Sequence, residues 1–231
     1  ARVGTGSPRR GAQLGRSRPD LAVCDLRGNV DSRLARVGAD LDGVVLAAAG
    51  LTRIGRDAAI TEYFPLETTP TAPGQGALAI ESRSDDASIG LIGQGLRALD
   101  DADARACALA ERAMLAELEA GCQAPVGAWA RLADGLLMLS GAVYRPDGSE
   151  SREAQRAIAW PAESRDRLRD PGAHPGPDAA ADAAATGLGI ATARELLANG
   201  AAELAPMTLL TGARLRAHEG APLAPLTKDQ R

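Results

Sequence analysis

Leu21-Ala22-Val23-Cys24-Asp25-Leu26-Arg27-Gly28-Asn29-Val30 decides the fold of the N-terminal part. The first six residues are mostly apolar and too few for a stable helix, so they read as a strand buried on both faces. Arg27-Gly28-Asn29 then turns the chain into a second helix, roughly Val30 to Val37. The same strand-then-helix unit occurs on either side. Upstream, Ala1-Arg2-Val3 reads as the middle of a strand before a Gly-rich turn, and Ser7 and Pro8 are an N-cap and a first helical residue for a helix ending before Pro19. Downstream, Gly43 to Ala48 reads as a buried strand that Gly50 turns into a short helix through Arg53. Strands alternating with helices imply a parallel sheet with right-handed crossovers.

The pattern changes after residue 65. Residues 65–76 are rich in Pro, Thr and Gly and read as a linker, Ala77 to Ser82 as a strand, and Asp86 to Leu99 as a helix. A helix from Asp100 to Glu119 follows, with Cys107, Ala110, Met114 and Leu118 on its apolar stripe. Three strands, at 126–132, 136–144 and 152–160, are joined by Ala133-Asp134-Gly135 and Pro146-Asp147-Gly148, the signature of an antiparallel meander. Residues 161–182 read as a loop, Ala183 to Ala198 as a helix ended by Asn199-Gly200, and 207–231 as a loose tail. The expected organisation is a βα domain over 1–70, a connecting segment over 71–100, and a small α+β domain with a three-stranded antiparallel sheet over 101–206.

Charge locates a ligand. Residues 1–56 hold ten Arg against five Asp, a net +5, while the other 175 residues hold 16 basic and 25 acidic groups, a net −9. The basic groups cluster at the strand-to-helix junctions: Arg9 and Arg10 after Gly4-Thr5-Gly6-Ser7, Arg27 and Arg33 around Gly28, and Arg53 after Gly50. Ligands bind an open parallel sheet beyond the C-terminal ends of its strands. Helix N-termini there offer free N–H groups, and arginine matches carboxylates bidentately. The junctions together predict a cleft for a ligand with several carboxylates. Gly4-x-Gly6 is not a dinucleotide fingerprint, because Arg9 stands where its third glycine belongs.

Three cysteines and two histidines, with no C-x-x-C pair, exclude a disulfide framework and argue against a structural metal. Cys24 and Cys107 read as buried and structural. Cys122 follows Gly121 in a loop after the long helix and is placed for a nucleophilic or covalently modified role. No apolar run is long enough to span a membrane, and no signal peptide is visible. The expected setting is the cytoplasm. The chain begins at Ala1 without Met, within a strand, and an N-terminal portion is expected to be missing.

Five segments resemble the porphobilinogen deaminases (hydroxymethylbilane synthases). Gly4 to Arg10 matches G-T-x-S-x-R-R, Leu26 to Leu34 matches L-R-G-N-V-x-[ST]-R-L, and Ala49 to Arg53 matches A-G-L-x-R. Gly74 to Ala77 matches G-Q-G-A, and Glu119 to Gly127 matches E-x-G-C-Q-x-P-[IV]-G. Gly6 and Pro8 depart from the residues common in that family without removing a charge. The resemblance implies a transferase of porphyrin and heme biosynthesis that joins four porphobilinogen molecules into hydroxymethylbilane, on a dipyrromethane primer held by Cys122. It implies carboxylate contacts from Arg9, Arg10, Arg27, Arg33 and Arg53, and hydrogen bonds from Thr5, Ser7, Gly28 and Gln75. It implies a substrate partner but no nucleic acid, membrane or metal, and a monomer at full length. The family's H-S-x-K-D-x-P motif, which carries its catalytic aspartate, has no match here, so no catalytic residue is assigned and the isolated chain is expected to be an incomplete enzyme. The arginine-lined part also resembles the ligand lobes of periplasmic solute-binding proteins, which leaves a non-catalytic polycarboxylate-binding module as the alternative. A thiol enzyme using Cys122 directly lacks a histidine partner.

Overall fold

The computed structural model describes residues 1–83, 85, 90–120, 124–160 and 178–205. It is a mixed α/β structure with two separate three-stranded sheets, one parallel and one antiparallel. The N-terminal unit comprises β1 (Arg2–Thr5), α1 (Pro8–Ser17), β2 (Ala22–Asp25), α2 (Val30–Leu34), β3 (Gly43–Val44) and α3 (Ala48–Arg53). β1 is central, pairing in parallel with β2 on one side and β3 on the other. Side chains are excluded at Gly4, where a Cβ would stand 2.7 Å from Leu41 Cδ1, so Leu26 and Leu41 close over the middle of β1. Ser7 accepts from the Arg10 N–H and Asn29 from the Ser32 N–H, which fixes the starts of α1 and α2.

Several local expectations are corrected. β2 is not buried on both faces: it is an edge strand, with Val23 and Asp25 exposed and Cys24 half-buried. Its apolar run signals a strand, but only one neighbour and α1 lie against it. β3 pairs over Gly43–Val44 only, and after the Val45 N–H donates to the Gly4 carbonyl the chain turns away. α2 ends at Leu34, and α3 begins at Ala48, so Gly50 lies inside that helix. Residues 77–82 form no strand, and Leu78 and Ile80 are exposed.

The second unit comprises α4 (Gly90–Leu99), α5 (Ala102–Glu117), β4 (Val126–Ala133), β5 (Leu136–Tyr144), β6 (Ser151–Ala159) and α6 (Ala179–Ala198). Sheet order is β4-β5-β6, antiparallel throughout, as the two turn signals require. Asp134 and Gly135 both take positive φ, matching the right-handed twist of the strands they join. α5 and α6 cover one face. Met114 from α5 and Leu118 at its C-cap, Leu137, Leu139 and Val143 from β5, and Leu188 and Leu196 from α6 form the core. The helices touch at Gly189, where a Cβ would lie 2.2 Å from the Ala110 carbonyl oxygen. Cys107 is half-buried beside this core. α6 begins four residues before Ala183, its Asp178 cap accepting from the Ala180 and Ala181 N–H groups. The expectations for Asp86 to Ile89, for residues 161–177 and for the tail lie outside the described residues.

α1 packs against the second sheet. The strict alternation of β5 ends near its C-terminus, where Ala142 and Tyr144 are buried with Ala12. The β5–β6 turn abuts α1 backbone to backbone: a Cβ on Gly148 would stand 2.5 Å from the Ala12 oxygen, and one on Gly15 2.7 Å from the Asp147 oxygen. Arg16 pairs with Glu153 at 3.3 Å on the rim.

Candidate carboxylate-binding site

The three strand-to-helix junctions meet at Arg10. Its NH1 donates to the Val45 carbonyl at 3.5 Å, reaching the end of β3 from α1. Burial first, and then the charge of Arg33, hold its guanidinium below the ordinary arginine value. Arg33 reaches back along α2, its Nε donating to the Gly28 carbonyl at 2.7 Å. Gly28 itself has φ +112, and a Cβ there would fall 2.3 Å from Ser32 Oγ, so only glycine fits the turn. No carboxylate among the described residues pairs with Arg10 or Arg33. Two nearby guanidinium groups without a counter-charge repel each other, and a bound anion relieves that repulsion. The starts of α1 and α2 lie at the same end of the sheet; α2, five residues long, adds its capped turn rather than an anion site of its own.

The other candidates are arranged differently. Thr5 is buried at the end of β1, its Oγ1 accepting from the Ser7 N–H at 3.3 Å, and Ser7 Oγ is engaged as the cap of α1. Arg27 is exposed and pairs with Asp25 at 3.0 Å. Arg53 lies exposed on the last turn of α3. Gln75 is exposed in the 72–75 turn, its N–H donating to the Ala72 carbonyl at 3.1 Å. Cys122 lies outside the described residues.

Arg9 departs from the expectation of a shared cleft. It is 7% exposed and points into the contact between the two units, where NH1 donates to Gln13 Oε1 at 2.7 Å and to the Pro70 carbonyl at 2.6 Å. Consecutive helical residues point about 100° apart, and Arg10 rather than Arg9 is the one that reaches the end of the sheet. Burial, with Arg10 nearby, lowers the Arg9 guanidinium to about 10, which leaves it charged at neutral pH.

Sequence reasoning missed Glu111. This carboxylate is 6% exposed on α5 and accepts from the Ala130 N–H and the Gly74 N–H, each at 2.8 Å. Burial raises it above the usual carboxylate range, against the pull of those two bonds. The one signal was a charged residue beside Ala110 on the apolar side of α5. Cys107, one turn earlier, is pushed up to about 11 by burial and by the nearby Glu111, Asp103 and Asp101, so it remains an unreactive thiol.

Comparison with known proteins identifies the family. Residues 1–91 match the model of the porphobilinogen deaminase dipyromethane cofactor binding domain, and residues 105–167 match that of the porphobilinogen deaminase C-terminal domain. The chain belongs to the porphobilinogen deaminase family. It is 54% identical to the porphobilinogen deaminase of Leifsonia xyli over 209 residues, covering 90% of this chain and 60% of the relative. It is 43% identical to that of Cutibacterium acnes, covering 90% and 63%, and 46% identical to that of Nocardia farcinica, covering 98% and 61%. The chain thus spans about three fifths of the length of the porphobilinogen deaminases it matches. No helix among the described residues is long and apolar enough to cross a membrane.

Proposed function

We propose that this chain supplies the carboxylate-binding and thiol-bearing parts of a hydroxymethylbilane synthase, a cytoplasmic enzyme, monomeric at full length, that joins four porphobilinogen molecules. The observation that carries the reading is the Arg10–Arg33 pair, two cations near enough for the charge of Arg33 to lower Arg10, without a carboxylate partner among the described residues, where three strand ends converge. That donor set fits a dipyrromethane, whose rings each carry two carboxylates. Bound through Cys122, the group supplies the pyrrole carbon on which the chain of rings is extended. Arg10 and Arg33 bind and orient its carboxylates by charge-assisted hydrogen bonds. Arg27 and Arg53, both exposed, are available to the carboxylates of later rings once Arg27 exchanges Asp25 for the ligand. The Gly28 backbone, Thr5, Ser7 and Gln75 line the approach. The N-terminal unit takes the role of a ligand lobe of periplasmic-binding-protein type.

The test is intact-mass measurement of the purified chain after incubation with porphobilinogen, alone and mixed with a separately expressed N-terminal domain of a relative. The expected result is a dipyrromethane adduct that disappears in Cys122→Ala and persists in Cys107→Ala, with hydroxymethylbilane formed only in the mixture. An adduct that survives Cys122→Ala overturns the attachment site. Binding of polycarboxylates with no adduct under any condition supports the binding-module reading instead.

A further inference from the structure

The segment entering the Gly-Gln-Gly-Ala motif is gripped from both units. From the N-terminal unit, Arg9 NH1 and Gln13 Nε2 both donate to the Pro70 carbonyl, at 2.6 and 2.9 Å, and Gln13 Nε2 also lies 3.4 Å from the Tyr144 hydroxyl on β5. From the C-terminal unit, the Ala128 N–H donates to the Thr71 carbonyl at 2.8 Å, and Thr71 Oγ1 donates to the Ala128 carbonyl at 3.2 Å. Thr71 therefore adds one rung to the open edge of β4. Pro70 lies over Gly127, where a Cβ would stand 2.8 Å from the proline ring. Four residues further on, Glu111 holds the Gly74 N–H and the Ala130 N–H with its two carboxylate oxygens. A composition that reads as a free linker is, over residues 70–74, a strip fastened at both ends.

We propose that Arg9 is a positioning residue that, with Gln13 and Glu111, clamps residues 70–74 between the two units and so holds the Arg10–Arg33 site and the Gln75 turn in fixed relation to the cysteine-bearing unit. The clamp rests on geometry alone; its role in positioning a ligand rests on the function proposed above. Arg9 meets only neutral oxygens in this contact, and both are carbonyl-type acceptors on rigid backbone or on its own helix. These two bonds use both N–H groups of NH1. The bonds join three elements distant in sequence, α1, the 70–74 strip and β5, so none of the three can shift without breaking a buried hydrogen bond.

Hydrogen exchange on the full chain tests the clamp without any ligand. In the parent chain the amides of Gly74 and Ala128 should be protected comparably to those of Leu137 and Leu139 in the core strand β5. Arg9→Met and Gln13→Leu should each speed exchange at Gly74 and Ala128 about tenfold or more, leaving Leu137, Leu139 and the Val45 amide of the first sheet unchanged. Arg10→Met should leave Gly74 and Ala128 as they are. Titration with a synthetic dipyrromethane tetracarboxylate then separates positioning from direct binding: Arg10→Met should weaken it about tenfold or more, and Arg9→Met by no more than about threefold. If the probe does not bind the parent chain, the proposed function falls and the exchange measurement alone decides the clamp. Unprotected Gly74 and Ala128 in the parent, or an Arg9→Met chain that loses the probe as Arg10→Met does with exchange unaltered, overturns the proposal.

Discussion

Replacing Glu111 with leucine removes both acceptors of one buried carboxylate. The Ala130 N–H lies in the buried stretch of β4 and is left without a partner, at about 1–3 kcal/mol. The Gly74 N–H is part-buried, so water recovers some of its bond. Against this, leucine removes the desolvation of a charge, the cause of the raised Glu111 value. The net expectation is a loss of about 2 kcal/mol, or roughly 4–8 °C in midpoint for a chain of this size. Glu111→Gln keeps one acceptor and turns its amide toward the second N–H, so it should lose about 1 kcal/mol. Urea unfolding followed by tryptophan fluorescence reads the right unit, because the only two tryptophans, Trp129 and Trp160, lie in β4 and just after β6. A loss below about 0.5 kcal/mol in Glu111→Leu would refute the view that the carboxylate satisfies these donors. The pH dependence carries a sign. A carboxyl whose folded value is raised binds more protons folded than unfolded above 4.5, so its stabilising contribution is complete below 4.5 and is lost as pH rises through the folded value. The advantage of the parent chain over Glu111→Gln should therefore be larger on the acid side of that window than at neutral pH.

Other outcomes follow from the close contacts and the exposed apolar residues. Gly189→Ala must part α5 from α6, since its Cβ would lie 2.2 Å from a backbone oxygen, and should lose about 2 kcal/mol or more in urea unfolding. Gly95→Ala in α4, with nothing within 4 Å, should be neutral or gain up to about 1 kcal/mol in the same assay. Gly148→Ala should expose the α1 amides to hydrogen exchange by pushing the β5–β6 turn off that helix, whereas Gly135→Ala, equally strained at φ +72 but in open space, should leave α1 protected. Leu78→Gln and Leu91→Gln, at residues 89% and 85% exposed, should leave stability within about 0.5 kcal/mol and raise the monomer fraction in size-exclusion chromatography.

The elements most legible in the sequence were those whose signals are local. Ser7-Pro8 started α1, Asp134-Gly135 turned β4 into β5, and Asn199-Gly200 ended α6, because caps and positive-φ turns depend on a few neighbouring residues. Burial was less legible. The run Leu21 to Leu26 signals a strand, but whether both faces are covered depends on how many elements pack around it, and β2 lies at an edge. The carboxylate site was half legible. Arginines at strand ends pointed to the convergence of Arg10 and Arg33, but the direction of Arg9 depends on the carbonyl of Pro70, far along the chain. Glu111 was hidden for the same reason: the two backbone groups that occupy it come from other parts of the chain.

The division of labour between neighbouring residues of α1 restricts the lengths its preceding loop can take. Ser7 fixes where the helix begins, and with it the azimuth of every later side chain. A change of one residue between Thr5 and Pro8 that was taken up by shifting the helix one position along its axis would turn its side chains by about 100°. The guanidinium meant for the strand ends would swing toward the second sheet, and Ala12 and Gly15 would no longer present small surfaces to the β5–β6 turn. This loop should therefore tolerate changes of residue type far better than changes of count. The exposed stretch from Ile54 to Phe64 carries no such angular constraint, and length variation among relatives should collect there.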